Sequence, residues 1–271
     1  MSGTSDGAER IAERAAERDA LARLYDLDLD EDPGDLDLYR ALAGRTGGPI
    51  LELAVGTGRL AVPLATAGLD VTGVDLDPAM LARARIRAAG AGRRVERRLR
   101  LVEGDAREVR LPGRDRFALA FIALNSLMIM NDVAAQRAVV RTLADHLEPG
   151  GLAVVDVWIP DASDLGRYDG RTVLEYARRD PETGRLVTKV GSALHDAASA
   201  TVVLSTIYEE GDQGEPPIRW FRRDRLRLVS ADDLRAYAED AGLEVESIAG
   251  SYELDPLGPG ADRAILIAVR P

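Results

Sequence analysis

The chain of 271 residues carries 35 Lys+Arg against 46 Asp+Glu, a formal net charge of −11, with 46% hydrophobic and 30% charged residues. That composition is globular rather than disordered, and the acid excess excludes a broad grip on a phosphate backbone, leaving room only for a local basic groove. The absence of cysteine excludes disulfides, thiolate metal sites and a cysteine nucleophile. No run of about 18 apolar residues and no basic-then-apolar leader occurs. A soluble cytoplasmic protein is therefore expected, with no membrane and no nucleic-acid partner, and with a homo-oligomer left open.

Residues 7–24 are rich in Ala, Glu and Arg and place Ile11, Ala15, Leu21 and Leu24 at helical spacing. An acidic stretch over 26–37 with Pro33-Gly34 predicts a loop, followed by a short helix around 38–43. The apolar run over 49–55 ends in Gly56-Thr57-Gly58, and Leu60, Ala61, Leu64 and Ala65 then return to helical spacing: strand, tight glycine turn, helix. Pro63 stands inside that helix as a local conflict. Strands follow over 70–74, 99–103, 117–124 and 152–157. Between them, one helix over 78–89 is opened by Asp77 with Pro78 at its first position, and another runs from an Asn131 cap to Leu147. Glu148-Pro149-Gly150-Gly151 is read as the stop of that helix. This alternation predicts an α/β fold with a doubly wound, mostly parallel, seven-stranded Rossmann-like sheet.

Past Trp158 the pattern changes. Residues 160–170 read as a loop, and 186–194, 201–208 and 219–229 as strands without intervening helices, hence an inserted antiparallel β segment. Ser230-Ala231-Asp232-Asp233 is a capping-box pattern ahead of a helix closed by Gly242, and strands over 244–248 and 263–269 complete the chain. The expected organisation is an N-terminal helical cap over 1–45, a core over 46–159 and 230–271, and inserted strands over 160–229 forming a lid on an acceptor pocket.

Gly56-Thr57-Gly58-Arg59-Leu60-Ala61 satisfies the dinucleotide pattern GxGxx(G/A), and Asp75 stands close to the spacing of about 20 residues expected of a ribose-binding acid. A nicotinamide- or flavin-dependent oxidoreductase is thus one reading. Three further features count against it. Glu52 is a carboxylate inside the first apolar strand, and such a group wants a cationic or hydrogen-bonding ligand nearby. Gly104-Asp105-Ala106 follows the third strand, and Leu147-Glu148-Pro149-Gly150-Gly151 precedes the fifth.

In this order LELAVGTG, GVDLDPAML, EGDA and LEPGG resemble the motifs of class I S-adenosylmethionine-dependent methyltransferases. With Tyr25-Asp26 and Tyr39, the chain is similar to small-molecule members such as the glycine and aminosugar N-methyltransferases. The resemblance implies S-adenosyl-L-methionine as cofactor and S-adenosyl-L-homocysteine as product. It implies that Ala54, Gly56 and Gly58 lie against the methionine part and that Glu52 orients that end. By the same resemblance Asp75 takes the ribose hydroxyls, Leu76 and Met80 cover the adenine, and Asp105 with the Ala106 amide reads its edge. Leu124 belongs to the same cofactor set, and Tyr25 and Arg59 are candidates for the methionine carboxylate. Val55 departs from the Cys or Gly usual in the family.

The acceptor is a small molecule in this reading, methylated at nitrogen or oxygen. Asn125 and Ser126 just past the fourth strand, and Trp158 at the end of the fifth, are candidates to touch it. Trp220 and Phe221 either face the same pocket or only their own sheet. His146 suits a helix C-terminus as a cation, whereas His195 is either a weak candidate base or a strand residue. No His/Asp/Glu cluster suggests a metal. The alternatives are the oxidoreductase and a non-catalytic S-adenosylmethionine-binding protein.

Overall fold

The structure is a computed structural model that describes residues 3–29, 33–112, 116–212, 214 and 216–271, with side chains from residue 12 onward. The Ile11 side chain and the middle of the acidic stretch, residues 30–32, lie outside what is described. The chain divides into two compact units, Met1–Glu31 with Asp164–Leu226, and Asp32–Ser163 with Arg227–Pro271. The cap expected over 1–45 is therefore split between them.

The larger unit holds a seven-stranded sheet. Its elements are α2 (Leu36–Thr46), β1 (Ile50–Leu53), α3 (Ala61–Thr66), β2 (Val71–Asp75), α4 (Pro78–Ala91), α5 (Arg93–Arg98), β3 (Leu99–Glu103) and β4 (Phe117–Ile122). A 3-10 turn over Ser126–Ile129, α6 (Val133–His146) and β5 (Leu147–Trp158) follow. The strand order β10-β11-β5-β4-β1-β2-β3 places the parallel strands β3 to β5 together, with β11 (Arg263–Val269) and β10 (Glu244–Ala249) antiparallel at the far edge. β4 is buried along its whole length, as a strand covered by helices on both faces must be. The order reverses between β1 and β4, and ligands of open α/β sheets collect outside the carboxyl ends of strands at that point.

Local chemistry accounts for most boundaries. The Asp77 side chain accepts from the Ala79 amide at 2.9 Å and opens α4. Pro63 is the third residue of α3, where a missing N–H costs no intrahelical bond, so the expected conflict does not arise. Asp132 rather than Asn131 caps α6, through the Ala135 amide at 2.8 Å. The helix stops as expected, α6 ending at His146, but residues 148–151 already form the start of β5, which was expected only from residue 152. Their backbone is held by the last strand, Gly150 N donating to Arg270 O at 2.7 Å and Arg270 N to Gly151 O at 2.9 Å. The reciprocal capping box on Ser230 and Asp233 opens α8 (Ala231–Asp240).

In the smaller unit, α1 (Gly3–Asp28) accompanies a four-stranded sheet of order β6-β7-β8-β9. These strands are β6 (Asp169–Arg179), β7 (Leu186–Asp196), β8 (Thr201–Gly211) and β9 (Ile218–Arg227), with α7 (Ala162–Arg167) leading in. The sequence led us to expect three strands and a loop over 160–170. Leu24, Leu27, Val187 and Tyr208 form its buried cluster, with Leu21, Tyr176 and Trp220 against it.

Candidate functional site

At the switch point, β1 runs into a turn in which Ala54, Gly56 and Gly58 adopt φ of 55°, 55° and 78°. A Cβ on Gly58 would stand 3.3 Å from both Ala84 Cβ and Val62 Cγ2, so glycine serves there on conformation and on space. Val55 is buried, and a Cβ on Gly73 of β2 would meet its Cγ2 at 2.6 Å. The glycine on β2 thus compensates for the larger residue in the turn.

Asp75 closes β2 and ties its end to the turn. One carboxylate oxygen accepts from the Gly56 amide at 2.7 Å and the other from Asp77 at 2.9 Å. Burial pushes its carboxyl above the usual range, against the pull of those amides. A carboxylate offers about four lone-pair sites, so both oxygens can still accept from a diol. Beside it Leu76 is 64% exposed, a large apolar side chain waiting for a cover, and Met80 on α4 is half-buried. Asp105 follows β3 and is held by Arg107, whose Nη2 donates at 2.5 Å; that guanidinium keeps the Asp105 carboxyl below its ordinary value. The next residue, Ala106, is buried.

Around the end of β1 lies a set of buried polar groups. Glu52 is 4% exposed, and its Oε2 has no hydrogen-bond partner. The Tyr39 hydroxyl on α2 and the Thr57 hydroxyl are likewise buried without partners. Tyr39 stacks on Phe121 of β4 with centroids 4.3 Å apart, and burial with the nearby Asp156, Asp35, Tyr252 and Glu52 holds its hydroxyl well above the ordinary range. Arg59 in the turn is engaged by Asp35, both terminal nitrogens donating at 2.5 Å to a carboxylate that is fully buried. The structure thus gives Arg59 the task of anchoring the glycine turn to the segment before α2.

The turn after β4 is clamped in the same way by β5. Leu124 and Asn125 have φ of 48° and 65°, which is why β4 stops at Ile122 and not at residue 124. Asp156 is fully buried; its side chain accepts from the Leu124 amide and its carbonyl from the Asn125 amide, each at 3.2 Å. Arg263 pairs with the same carboxylate, and Tyr252 donates to it at 3.2 Å. Asn125 returns its Oδ1 to the Trp158 amide at 2.5 Å, and Ser126 opens the 3-10 turn. Leu124, Asn125, Ser126 and Trp158 are accordingly brought together.

Sequence reading missed Asp35, Asp156, Tyr252 and Arg263, and used Tyr39 only as part of the resemblance. Asp156 carries the very signal that singled out Glu52, an acid inside an apolar strand. The other three have no local mark.

Several further candidates belong to the smaller unit. Tyr25 is on α1, in the smaller unit, beside Arg222. His195 is half-buried on β7 in that unit, its amide donating to Tyr168 O at 2.9 Å, and Trp220 and Phe221 are on β9. His146 is buried at the end of α6, where its Nε2 accepts from the Leu111 amide at 3.3 Å and its Nδ1 lies 2.7 Å from Thr142 O. Among the described residues no cluster of His, Asp or Glu could hold a metal ion, and no helix is long and apolar enough to cross a membrane.

The donor set fits S-adenosylmethionine. Buried, unpartnered oxygens at the end of β1 suit the cationic amino-acid end, the left-handed turn brings backbone close, and Asp75 beside exposed Leu76 suits a ribose and an adenine.

Comparison with known proteins agrees. Residues 50–151 match the family described as "Methyltransferase domain". The chain is 29% identical over 218 residues to the cypemycin N-terminal methyltransferase of a Streptomyces species, covering 80% of each. It is 29% identical to the dTDP-3-amino-3,4,6-trideoxy-alpha-D-glucopyranose N,N-dimethyltransferase of Streptomyces venezuelae, over 74% of this chain and 77% of that one. Among solved structures, the CcbJ methyltransferase from Streptomyces caelestis superposes with a TM-score of 0.72 at 25% identity, over 88% of this chain and 90% of that chain. None of these favours the nicotinamide reading of the glycine turn. Motifs, topology and relatives together identify the chain as a class I S-adenosylmethionine-dependent methyltransferase.

Proposed function

We propose that the enzyme methylates a nitrogen of a small-molecule or peptide amine, and that the carboxyl-end turns of the seven-stranded sheet hold the cofactor. The observation that carries this is that two curated relatives matched over 80% and 74% of the chain, the cypemycin N-terminal methyltransferase and the aminosugar N,N-dimethyltransferase, are both N-methyltransferases. In this reading Asp75 accepts from the ribose hydroxyls, Leu76 and Met80 cover the adenine, Asp105 and the Ala106 amide meet its edge, and Glu52 meets the amino group. Ala54, Gly56, Gly58 and Leu124 border the methionine part. Bound S-adenosylmethionine supplies a methyl group on a positively charged sulfur, open to in-line displacement.

The protein's share is then to align a lone pair with that carbon and to exclude water. An amine needs only to arrive neutral, whereas a hydroxyl usually needs a base. His195 is the remaining candidate for one, and its ring makes no hydrogen bond to an acid among the described residues. Asn125 spends its Oδ1 on Trp158, so its amide nitrogen and the Ser126 hydroxyl are left to meet the acceptor. The antiparallel unit, outside the matched residues 50–151, carries acceptor specificity in this reading.

Methyl transfer to a panel of primary and secondary amines and of phenols and sugar hydroxyls, read by mass spectrometry, tests it. N-methyl products are expected, with His195→Gln nearly as fast as wild type. O-methyl products, with kcat falling by roughly 10²–10⁴ in His195→Gln, would overturn it.

A further inference from the structure

Glu52 is the buried carboxylate of the site for which the protein supplies the least. The Ala61 amide donates to it, but Oε2 has no partner. The charged groups that face it are Arg59 from the glycine turn, Asp35 from the segment before α2 and Asp75 from β2; the Tyr39 hydroxyl of α2 is a further neighbour. Arg59 is the one cation in that set, and Asp35 already occupies both of its terminal nitrogens. An ionised Glu52 would therefore add a third carboxylate against one guanidinium while itself only 4% exposed, a cost that neutralisation removes. Burial accordingly drives the Glu52 carboxyl well above its ordinary range, with Asp35 and Asp75 adding to the push.

An ammonium reverses this balance, since it brings both a positive charge and N–H donors for Oε2. We propose that Glu52 carries a proton in the cofactor-free enzyme and gives it up to solvent when the amino group of S-adenosylmethionine binds, so that cofactor binding and proton release are coupled. The carboxyl O–H bond breaks, the proton leaves to buffer, and the ammonium N–H takes its place at the oxygen. This rests on the reading that Glu52 meets the amino-acid end of the cofactor.

The test is calorimetric titration of the whole protein with S-adenosylmethionine in buffers of different ionisation enthalpy. It is run below about pH 7, where the ligand's own amine is already charged. Proton release is expected, with affinity rising about tenfold per pH unit below the titration of Glu52. 5′-Methylthioadenosine, which lacks the amino-acid end, should bind without releasing protons. In Glu52→Gln the release should vanish and the affinity should lose its pH dependence. Binding by wild type with no proton release, equal release with 5′-methylthioadenosine, or release that persists in Glu52→Gln overturns the coupling while leaving the cofactor site standing. Failure of the wild type to bind S-adenosylmethionine overturns both.

Discussion

The two units hold themselves together by different means. The seven-stranded unit rests on apolar burial: β4 is buried throughout, and Phe121 lies under Tyr39. The antiparallel unit has a small apolar cluster and relies on buried charge. Arg23 of α1 is 11% exposed and bridges Asp180 and Glu210, which are almost fully buried. One helical turn further, Asp28 accepts from Tyr176 and Tyr208 at 2.6 Å each and from Lys189 at 2.9 Å. Hydrophobic burial is additive and forgiving, whereas a buried ion network is costly to break from one side. The larger unit uses the second device sparingly, at Asp35–Arg59 and Asp156–Arg263, where it fixes the two turns at the carboxyl ends of β1 and β4.

That contrast can be broken from either side. Arg23→Ala leaves two buried carboxylates and should cost the antiparallel unit about 3–5 kcal/mol, and Phe121→Ala should cost the larger unit a similar amount by cavity formation. The only two tryptophans, Trp158 and Trp220, fall one in each unit. Denaturation followed on single-tryptophan variants should show each substitution in its own unit, and coincident shifts in both would deny the division. A smaller effect of opposite sign is expected at Glu52. Its folded-state carboxyl is raised above the unfolded value, so holding it protonated in the folded state costs stability that is absent at low pH and grows as pH rises toward that raised value. The cofactor-free Glu52→Gln variant should be more stable than wild type at neutral pH, by about 1 kcal/mol or more, with the gap closing in mild acid. Thermal unfolding at several pH values reads this, and a destabilised variant at neutral pH contradicts it. Least of all, Arg98→Ala, which removes an exposed pair with Asp70, should change stability by no more than about 1 kcal/mol in the same assay.

How much of this was legible in the sequence follows the same line. Strands and helices of the larger unit show in apolar periodicity because burial writes a period into the chain. Boundaries slipped where the backbone answers to distant partners. Residues 148–151 stop the helix as read but also begin β5, because Arg270, just past β11, exchanges backbone hydrogen bonds with Gly150 and Gly151. β6 was unread because it is an edge strand with most of its side chains exposed, so no alternation marks it. The clamps were unread because Arg263 stands 107 residues from Asp156 and Arg59 24 residues from Asp35. A pair of complementary charges at such distances leaves no pattern in either neighbourhood. Glu52 and Asp75 were legible because an acid in an apolar strand, or at its end beside a glycine turn, is a local contradiction that only a ligand or partner resolves.

The central claim, that the turns after β1 and β2 hold S-adenosylmethionine, is tested most directly by calorimetric titration of wild type and Asp75→Ala with S-adenosylmethionine and, in parallel, NADH. The account predicts binding of S-adenosylmethionine and not NADH by the wild type, weakened by about 1–3 kcal/mol in Asp75→Ala. Binding of NADH alone, or equal affinity of both proteins for S-adenosylmethionine, would contradict it.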